Sequence, residues 1–153
     1  MQKEIKEKLV QNNDGWKKRF VVKRAARGMG YGMYARVAVK KGNFILEYTG
    51  KLIPTPVANT MSTRYLFEIN TKWTIDGATR TNVARYINHS CDPNCEVFIE
   101  KGRIIIYAWK DIEKGDELTF DYGEEYMDEF FKKHGCQCGT AICRKPLLNA
   151  PDK

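Results

Sequence analysis

Residues 85–95 read Arg85-Tyr86-Ile87-Asn88-His89-Ser90-Cys91-Asp92-Pro93-Asn94-Cys95. An apolar strand runs here into a polar turn closed by Asp92-Pro93, since proline fixes its own φ and biases the residue before it away from helix. Asn88 and His89 stand at the strand end, where side chain and backbone together can present hydrogen bonds to a ligand. Taken alone, such a pair reads first as a local cap of the turn.

Outward from this stretch the texture is β. On its C-terminal side VFIE and RIIIYAW flank Lys101-Gly102, which predicts a hairpin over 96–109. Ile104 to Ile106 is a continuous apolar run, so the second strand is expected to be buried. On the N-terminal side, from Phe20 onward, FVVKR, MYARVAV, NFILEYTG, RYLFEIN and WTIDG are brief β-rich runs divided by glycine and polar residues. Helix is expected only at the margins. Ile5 and Leu9 lie four apart among charges within residues 1–13, and residues 124–133 form a second candidate stopped by Gly135.

An internal echo accompanies these strands. ARVAVKKGNFILEYTG at 35–50 and AWKDIEKGDELTFDYG at 108–123 share Ala, a β-branched residue, Lys-Gly and a terminal Gly at equal offsets. Two similar strand-turn-strand units follow from that, as similar halves of one architecture rather than a solenoid.

At 153 residues, with 42% hydrophobic and 29% charged residues, the chain fits one globular domain with a modest core. No apolar run approaches the roughly 18 residues of a membrane span, and the charged start MQKEIKEKLVQNND lacks the apolar stretch of a signal peptide. An intracellular protein with no membrane partner is expected. The net charge of +7 is uneven: residues 1–53 carry 13 Lys/Arg against 4 Asp/Glu, whereas residues 111–131 carry 9 acids against one base. The basic half suits an acidic partner, and the acidic run suits a basic peptide, unless it is simply a solvated face. No nucleic-acid reader motif interleaves aromatics with the basic residues, so contact with nucleic acid is expected only indirectly.

All five cysteines fall at or after position 91: Cys91, Cys95, Cys136, Cys138 and Cys143. Cys136, Cys138 and Cys143 offer three thiolates on one compact loop, one short of the four a structural zinc prefers. Either Cys91 or Cys95 can supply the fourth, tying a tail of low apolar content to the body. Gly28, Gly30 and Gly32 in RGMGYG allow close backbone approach, but form neither a dinucleotide fingerprint nor a Walker pattern.

The order GMGYG, EYTG, YLFEI, RYINHSCDPNC, ELTFDYG and CQCGTAIC resembles the SET-domain protein-lysine methyltransferases with their post-SET zinc motif, over roughly residues 20–146. With only the short segment 51–64 between EYTG and YLFEI, the chain is similar to the minimal stand-alone SET proteins of bacteria, archaea and viruses. The resemblance implies a mainly β, β-clip fold of several small sheets with a pseudoknot-like active site, short flanking helices and a zinc-bound C-terminal tail. It divides the chain into a flank (1–19), the SET domain (20–123), a post-SET region (124–146) and a tail (147–153).

It further implies S-adenosylmethionine as methyl donor and zinc as structural metal. Tyr122 then matches the catalytic tyrosine, with Tyr65 and Tyr48 as channel and donor-side tyrosines. Phe120 matches the position that sets how many methyl groups are added. Met29, Gly30 and Tyr31 match the backbone that cradles the donor's methionine portion. Asn88 and His89 match the pair gripping the donor, Gln137 a post-SET contact to its adenosine, and Phe130 or Phe131 a nearby packing residue. The family pattern makes the cysteine after Asn-His-Ser the metal ligand, so the zinc set becomes Cys91, Cys136, Cys138 and Cys143.

The implied substrate is a lysine in a basic protein, a histone or histone-like tail, with di- or trimethyl product. The implied site is the nucleus in a eukaryotic setting and the cytoplasm in a prokaryotic one. Two other functions suit the same motifs: a catalytically weak SET-fold module that binds basic tails, and a methyltransferase of ribosomal or DNA-binding proteins. Intact Tyr122, Asn88 and His89 argue against the first.

Overall fold

The computed structural model describes residues 15–25, 30–123, 126, 136 and 138–143. The predicted helices over 1–13 and 124–133 lie outside them, as do Met29, Gln137, Phe130 and Phe131. A single helical turn, α1 (Trp16–Arg19), leads into the hairpin β1 (Phe20–Arg24) and β2 (Tyr31–Ala35), which pair antiparallel. β3 (Phe44–Tyr48) and β4 (Lys51–Pro54) follow, then the turn α2 (Thr55–Ala58), β5 (Leu66–Glu68) and β6 (Trp73–Asp76). A 3-10 turn (Val83–Tyr86) precedes β7 (Asn88–His89), and the chain continues through β8 (Cys95–Glu100), β9 (Arg103–Ala108) and β10 (Thr119–Phe120). No described helix is long and apolar enough to cross a membrane.

The strands form four small sheets, β1-β2, β4-β6-β5, β3-β9-β8 and a parallel pair β7-β10, as the mainly β expectation required. The hairpin β8-β9 turns at Lys101 and Gly102, whose φ values of 49° and 75° are those a tight two-residue hairpin demands. Ile104, Ile105 and Ile106 are all buried, because β9 is the central strand of its sheet. Phe20, Met33, Leu46, Ile87, Ile112 and Leu118 join Ile104 and Ile106 in one core. The apolar run into Asn88 differs from expectation: Arg85 and Tyr86 close a 3-10 turn, and strand pairing begins only at Asn88.

The sequence echo is a physical pseudo-two-fold. Val39 and Ile112, at equal positions in the two units, exchange reciprocal backbone hydrogen bonds of 2.8 Å each. Around them Gly42 N–H donates to the Ala108 carbonyl and Gly115 N–H to the Ala35 carbonyl, both at 2.8 Å. Ala108 N–H donates to Asn43 and Ala35 N–H to Asp116, both at 2.9 Å. The pairing of Phe44 with Tyr107 is matched by the bridge between Tyr34 and Glu117.

What positions the site is the parallel pair. Thr119 and Phe120 lie beside Asn88 and His89, and Ser90 N–H donates to the Phe120 carbonyl at 3.1 Å. Segments about thirty residues apart in sequence, NHS and FDYG, thereby become neighbours.

Candidate active site and thiolate cluster

A cavity of about 400 Å³ opens between the β4-β6-β5 sheet and the β7-β10 pair. Its walls are aromatic: Tyr48, Tyr65, Phe67, Phe120, Tyr122 and Tyr126. Tyr48 comes from the end of β3, Phe67 from β5 and Phe120 from β10, so three sheets must be in place before the cavity exists. The rings hold one another, with centroids 4.7 Å apart for Phe120 and Tyr122, 4.8 Å for Tyr122 and Tyr126, and 5.5 Å for Tyr48 and Phe67. Electron-rich ring faces around a space of this size suit an alkyl chain ending in a cation or amine.

The two central phenols are fixed by carbonyls. Tyr122 Oη donates to the Ile87 carbonyl, and Tyr48 Oη donates to the Tyr65 carbonyl at 2.8 Å. Burial, followed by the neighbouring tyrosines, pushes both phenols well above their ordinary pKa, so both keep their protons. Each hydroxyl has spent its single hydrogen, and its oxygen is left as an acceptor. The site therefore offers acceptor oxygens for N–H groups and has no base among these two phenols.

Beside the cavity, Asn88 Nδ2 donates to the Tyr31 carbonyl at 2.9 Å, pinning β7 to the strand that follows the glycine run. Gly30 takes φ 68°, and a Cβ on Gly32 would stand only 3.1 Å from Asn88 Nδ2. The two glycines thus allow the chain to turn and then pass close over Asn88. The structure brings Gly30, Tyr31, Asn88, Tyr65, Phe120, Tyr122 and Tyr48 into one neighbourhood.

His89 stands between the cysteine cluster and Tyr122. Its ring is fully buried, its Nδ1 accepts the Tyr122 backbone N–H at 3.0 Å, and its Nε2 lies 3.4 Å from Cys91 Sγ. An Nδ1 that accepts is unprotonated, so Nε2 carries the hydrogen and points it at the sulfur. Asp121 Oδ1 lies 3.7 Å from Nδ1. His89 links the cysteine cluster to the backbone of Tyr122.

The thiolate cluster comprises Cys91, Cys136, Cys138 and Cys143, whose sulfurs all lie within 4.8 Å of one another. Thiolates on a tetrahedral zinc, each about 2.3 Å from the metal, stand about 3.8 Å apart; Cys91 and Cys136 are at 3.7 Å. Burial opposes ionisation of Cys138, yet hydrogen bonds led by Thr140 outweigh it and bring the thiol down to about 6. Burial pushes Cys136 up. Cys95 sits apart on β8, 1% exposed and pushed up to about 12 by burial, as a small neutral core residue.

Three residues escaped the sequence reading. Tyr126 lines the cavity and donates to the Arg64 carbonyl at 3.0 Å. Arg85 also lines it, with its guanidinium 4.1 Å over the Tyr65 ring. Glu117 lies beside Asn88. Arg85 had a signal as a cation within the deciding stretch, and Glu117 as the first residue of ELTFDYG. In the acidic run, Asp111 and Asp116 accept the backbone N–H groups of Lys41 and Glu113, Glu124, Glu125, Asp128 and Glu129 lie outside the described residues, and no described acid between 111 and 121 lines the cavity. The carboxylate there is Glu68, near Arg64 and Arg85.

Comparison with known proteins agrees with the geometry. Residues 30–123 match the SET domain family. A relative from Emericella nidulans named "Histone-lysine N-methyltransferase, H3 lysine-4 specific" is 39% identical over 132 residues, covering 78% of this chain and 11% of that protein. One of the same name from Saccharomyces cerevisiae is 37% identical, covering 78% and 12%. The human "Histone-lysine N-methyltransferase 2D" is 39% identical over 142 residues, covering 85% and 2%. The chain thus spans 2–12% of the length of these relatives. With an aromatic cavity, an Asn-His pair beside a glycine-rich strand, and a matching sequence across the whole β region, this chain belongs to the SET domain family.

Proposed function

We propose that this protein transfers a methyl group from S-adenosylmethionine to a lysine side chain of a basic protein, a histone or histone-like tail, and that it adds two or three methyl groups. The observation carrying this reading is the aromatic cavity of about 400 Å³ with the protonated, acceptor-presenting Tyr122 in its wall. The names of the relatives support the substrate class. Bound S-adenosylmethionine would supply an electrophilic methyl group on a sulfonium, held by Gly30, Tyr31 and Asn88, with Met29 and Gln137 as the corresponding residues outside the described set.

The chain's own residues do the rest. The amine must arrive neutral and in line, and a free lysine has a pKa of about 10.4, so the apolar walls must favour its uncharged form. Tyr48 and Tyr122 present acceptor oxygens that fix the amine's N–H directions and aim its lone pair. The rings of Phe67 and Phe120 exclude water from the path. Phe120 has no hydroxyl to hold a water where a methylated amine must turn, which leaves room for further transfers.

Cys91, Cys136, Cys138 and Cys143 would hold one zinc whose task is structural, fixing the C-terminal segment against β7 through His89. Such activity belongs in chromatin of a eukaryotic nucleus, or in the cytoplasm of a prokaryotic cell acting on a ribosomal or DNA-binding protein. The deciding experiment incubates the protein with labelled S-adenosylmethionine over histones and a cell lysate, then locates the labelled lysine by mass spectrometry. Label on a lysine with di- or trimethyl mass is expected; donor binding without transfer to any protein would replace the enzyme with a binding module.

A further inference from the structure

Arg85 lies in the 3-10 turn that leads into β7, and its side chain lines the aromatic cavity. Two contacts fix it there. Its guanidinium stands 4.1 Å over the Tyr65 ring, with the Tyr86 ring 5.5 Å away, and Nη1 donates to the Ala78 carbonyl at 2.5 Å. Neither contact neutralises the cation, because a ring face and a carbonyl carry only partial charge. No described carboxylate is within ion-pair distance of the guanidinium, and its Nε is buried without an acceptor. A buried donor without an acceptor costs stability, and the wall keeps the cation nonetheless.

The charge sits close to the atoms that meet the substrate. Tyr48 Oη, one of the two acceptors that fix the amine, donates to the carbonyl of Tyr65, the residue on which Arg85 is stacked. Burial raises the Tyr48 phenol, neighbouring tyrosines and Asp76 add to this, and the Arg85 charge opposes them. The other charged side chains lining the cavity, Arg64 and Glu68, are both exposed, so water screens them more than it screens the half-buried Arg85. Tyr48 and Tyr122 keep their protons and carry no charge, and Tyr65 and Tyr126 add two further phenols. Asp76 and Glu117 act on Tyr48 and Tyr122 without lining the cavity. We infer that Arg85 sets the protonation of the substrate: its fixed charge in the channel wall disfavours lysine ammonium, whose proton passes to solvent, and favours the neutral amine that methyl transfer needs. The inference rests on the lysine methyltransferase reading above.

Arg85→Met keeps an apolar side chain on the Tyr65 ring and removes the charge. With saturating S-adenosylmethionine and a histone H3 tail peptide containing one lysine, the turnover of this variant should keep its alkaline plateau. Its acid limb should move up by about half to one pH unit, so that turnover there falls about three- to tenfold. Binding to the S-adenosylhomocysteine-loaded protein at about pH 6 should move the other way. The lysine peptide should bind the variant about three- to tenfold more tightly, since its ammonium is no longer repelled, and a copy with norleucine for lysine should bind both proteins alike. Arg85→Lys, which restores a cation, should recover the wild-type acid limb, and Arg85→Gln serves if the Met variant does not fold. Wild type that transfers no methyl group to the peptide or to any histone overturns the methyltransferase reading, and the inference with it. Wild-type turnover with an unmoved acid limb in the uncharged variant, or with lysine and norleucine peptides weakened equally, overturns the role of Arg85.

Discussion

Tyr122 and Phe120 share a ring contact of 4.7 Å and differ in one atom that decides what each can do. The Tyr122 hydroxyl gives its hydrogen to the Ile87 carbonyl and keeps its lone pairs for the incoming amine. Tyr122→Phe is therefore expected to retain S-adenosylmethionine affinity while losing about a hundredfold or more in turnover. Its melting transition should reflect about 1 kcal/mol of lost hydrogen bonding. Full activity in single-turnover assays would move the catalytic assignment elsewhere. Phe120 is 6% exposed and packs on both Phe67 and Tyr122. Phe120→Tyr introduces a hydroxyl able to hold a water in the cavity, so its product should shift from di- or trimethyl toward monomethyl-lysine. Peptide mass spectra at long reaction times and excess donor test this, and a wild type halting at one methyl would assign the limit to other cavity residues.

At the scale of elements, the cysteine loop and β7 act as one piece through His89, whose Nε2–H faces Cys91 while its Nδ1 holds the Tyr122 backbone. Cys91→Ser should lose the metal and, through His89, depress turnover, whereas Cys95→Ser should keep both; elemental analysis alongside activity distinguishes them. Acid should do the same to wild type. Zinc needs its thiols deprotonated, so protons compete with the metal, and zinc release to a chromogenic chelator should be small at neutral pH and rise as the solution is acidified. Legibility followed the range of the interactions. The β8-β9 hairpin was readable because its two strands adjoin and Lys101-Gly102 names its turn. That Cys91, Cys136, Cys138 and Cys143 gather was readable from spacing and family pattern. β7 and β10, two residues each, were not, since nothing local to Asn88 encodes a partner at Thr119.

Across the whole molecule, the pseudo-two-fold makes a prediction that neither half makes alone. Gly42 and Gly115 occupy equivalent turns with φ of 88° and 94°, and a Cβ at either meets nothing within 4 Å. Gly42→Ala and Gly115→Ala should each cost about 1–2 kcal/mol from backbone strain alone, and by similar amounts. Denaturant unfolding of the pair is the check; a cost confined to one site would mean the halves are alike in trace but not in stability. The same global arrangement has a consequence during synthesis. Cys91 leaves the ribosome 45 residues ahead of Cys136, the first of its three fellow thiolates. A nascent chain already holding all four β-sheets still lacks the clasp that fixes Tyr122 through His89. Turnover is therefore expected to need residues 136–143, and a chain truncated before residue 136 should keep its β circular-dichroism signal while losing activity.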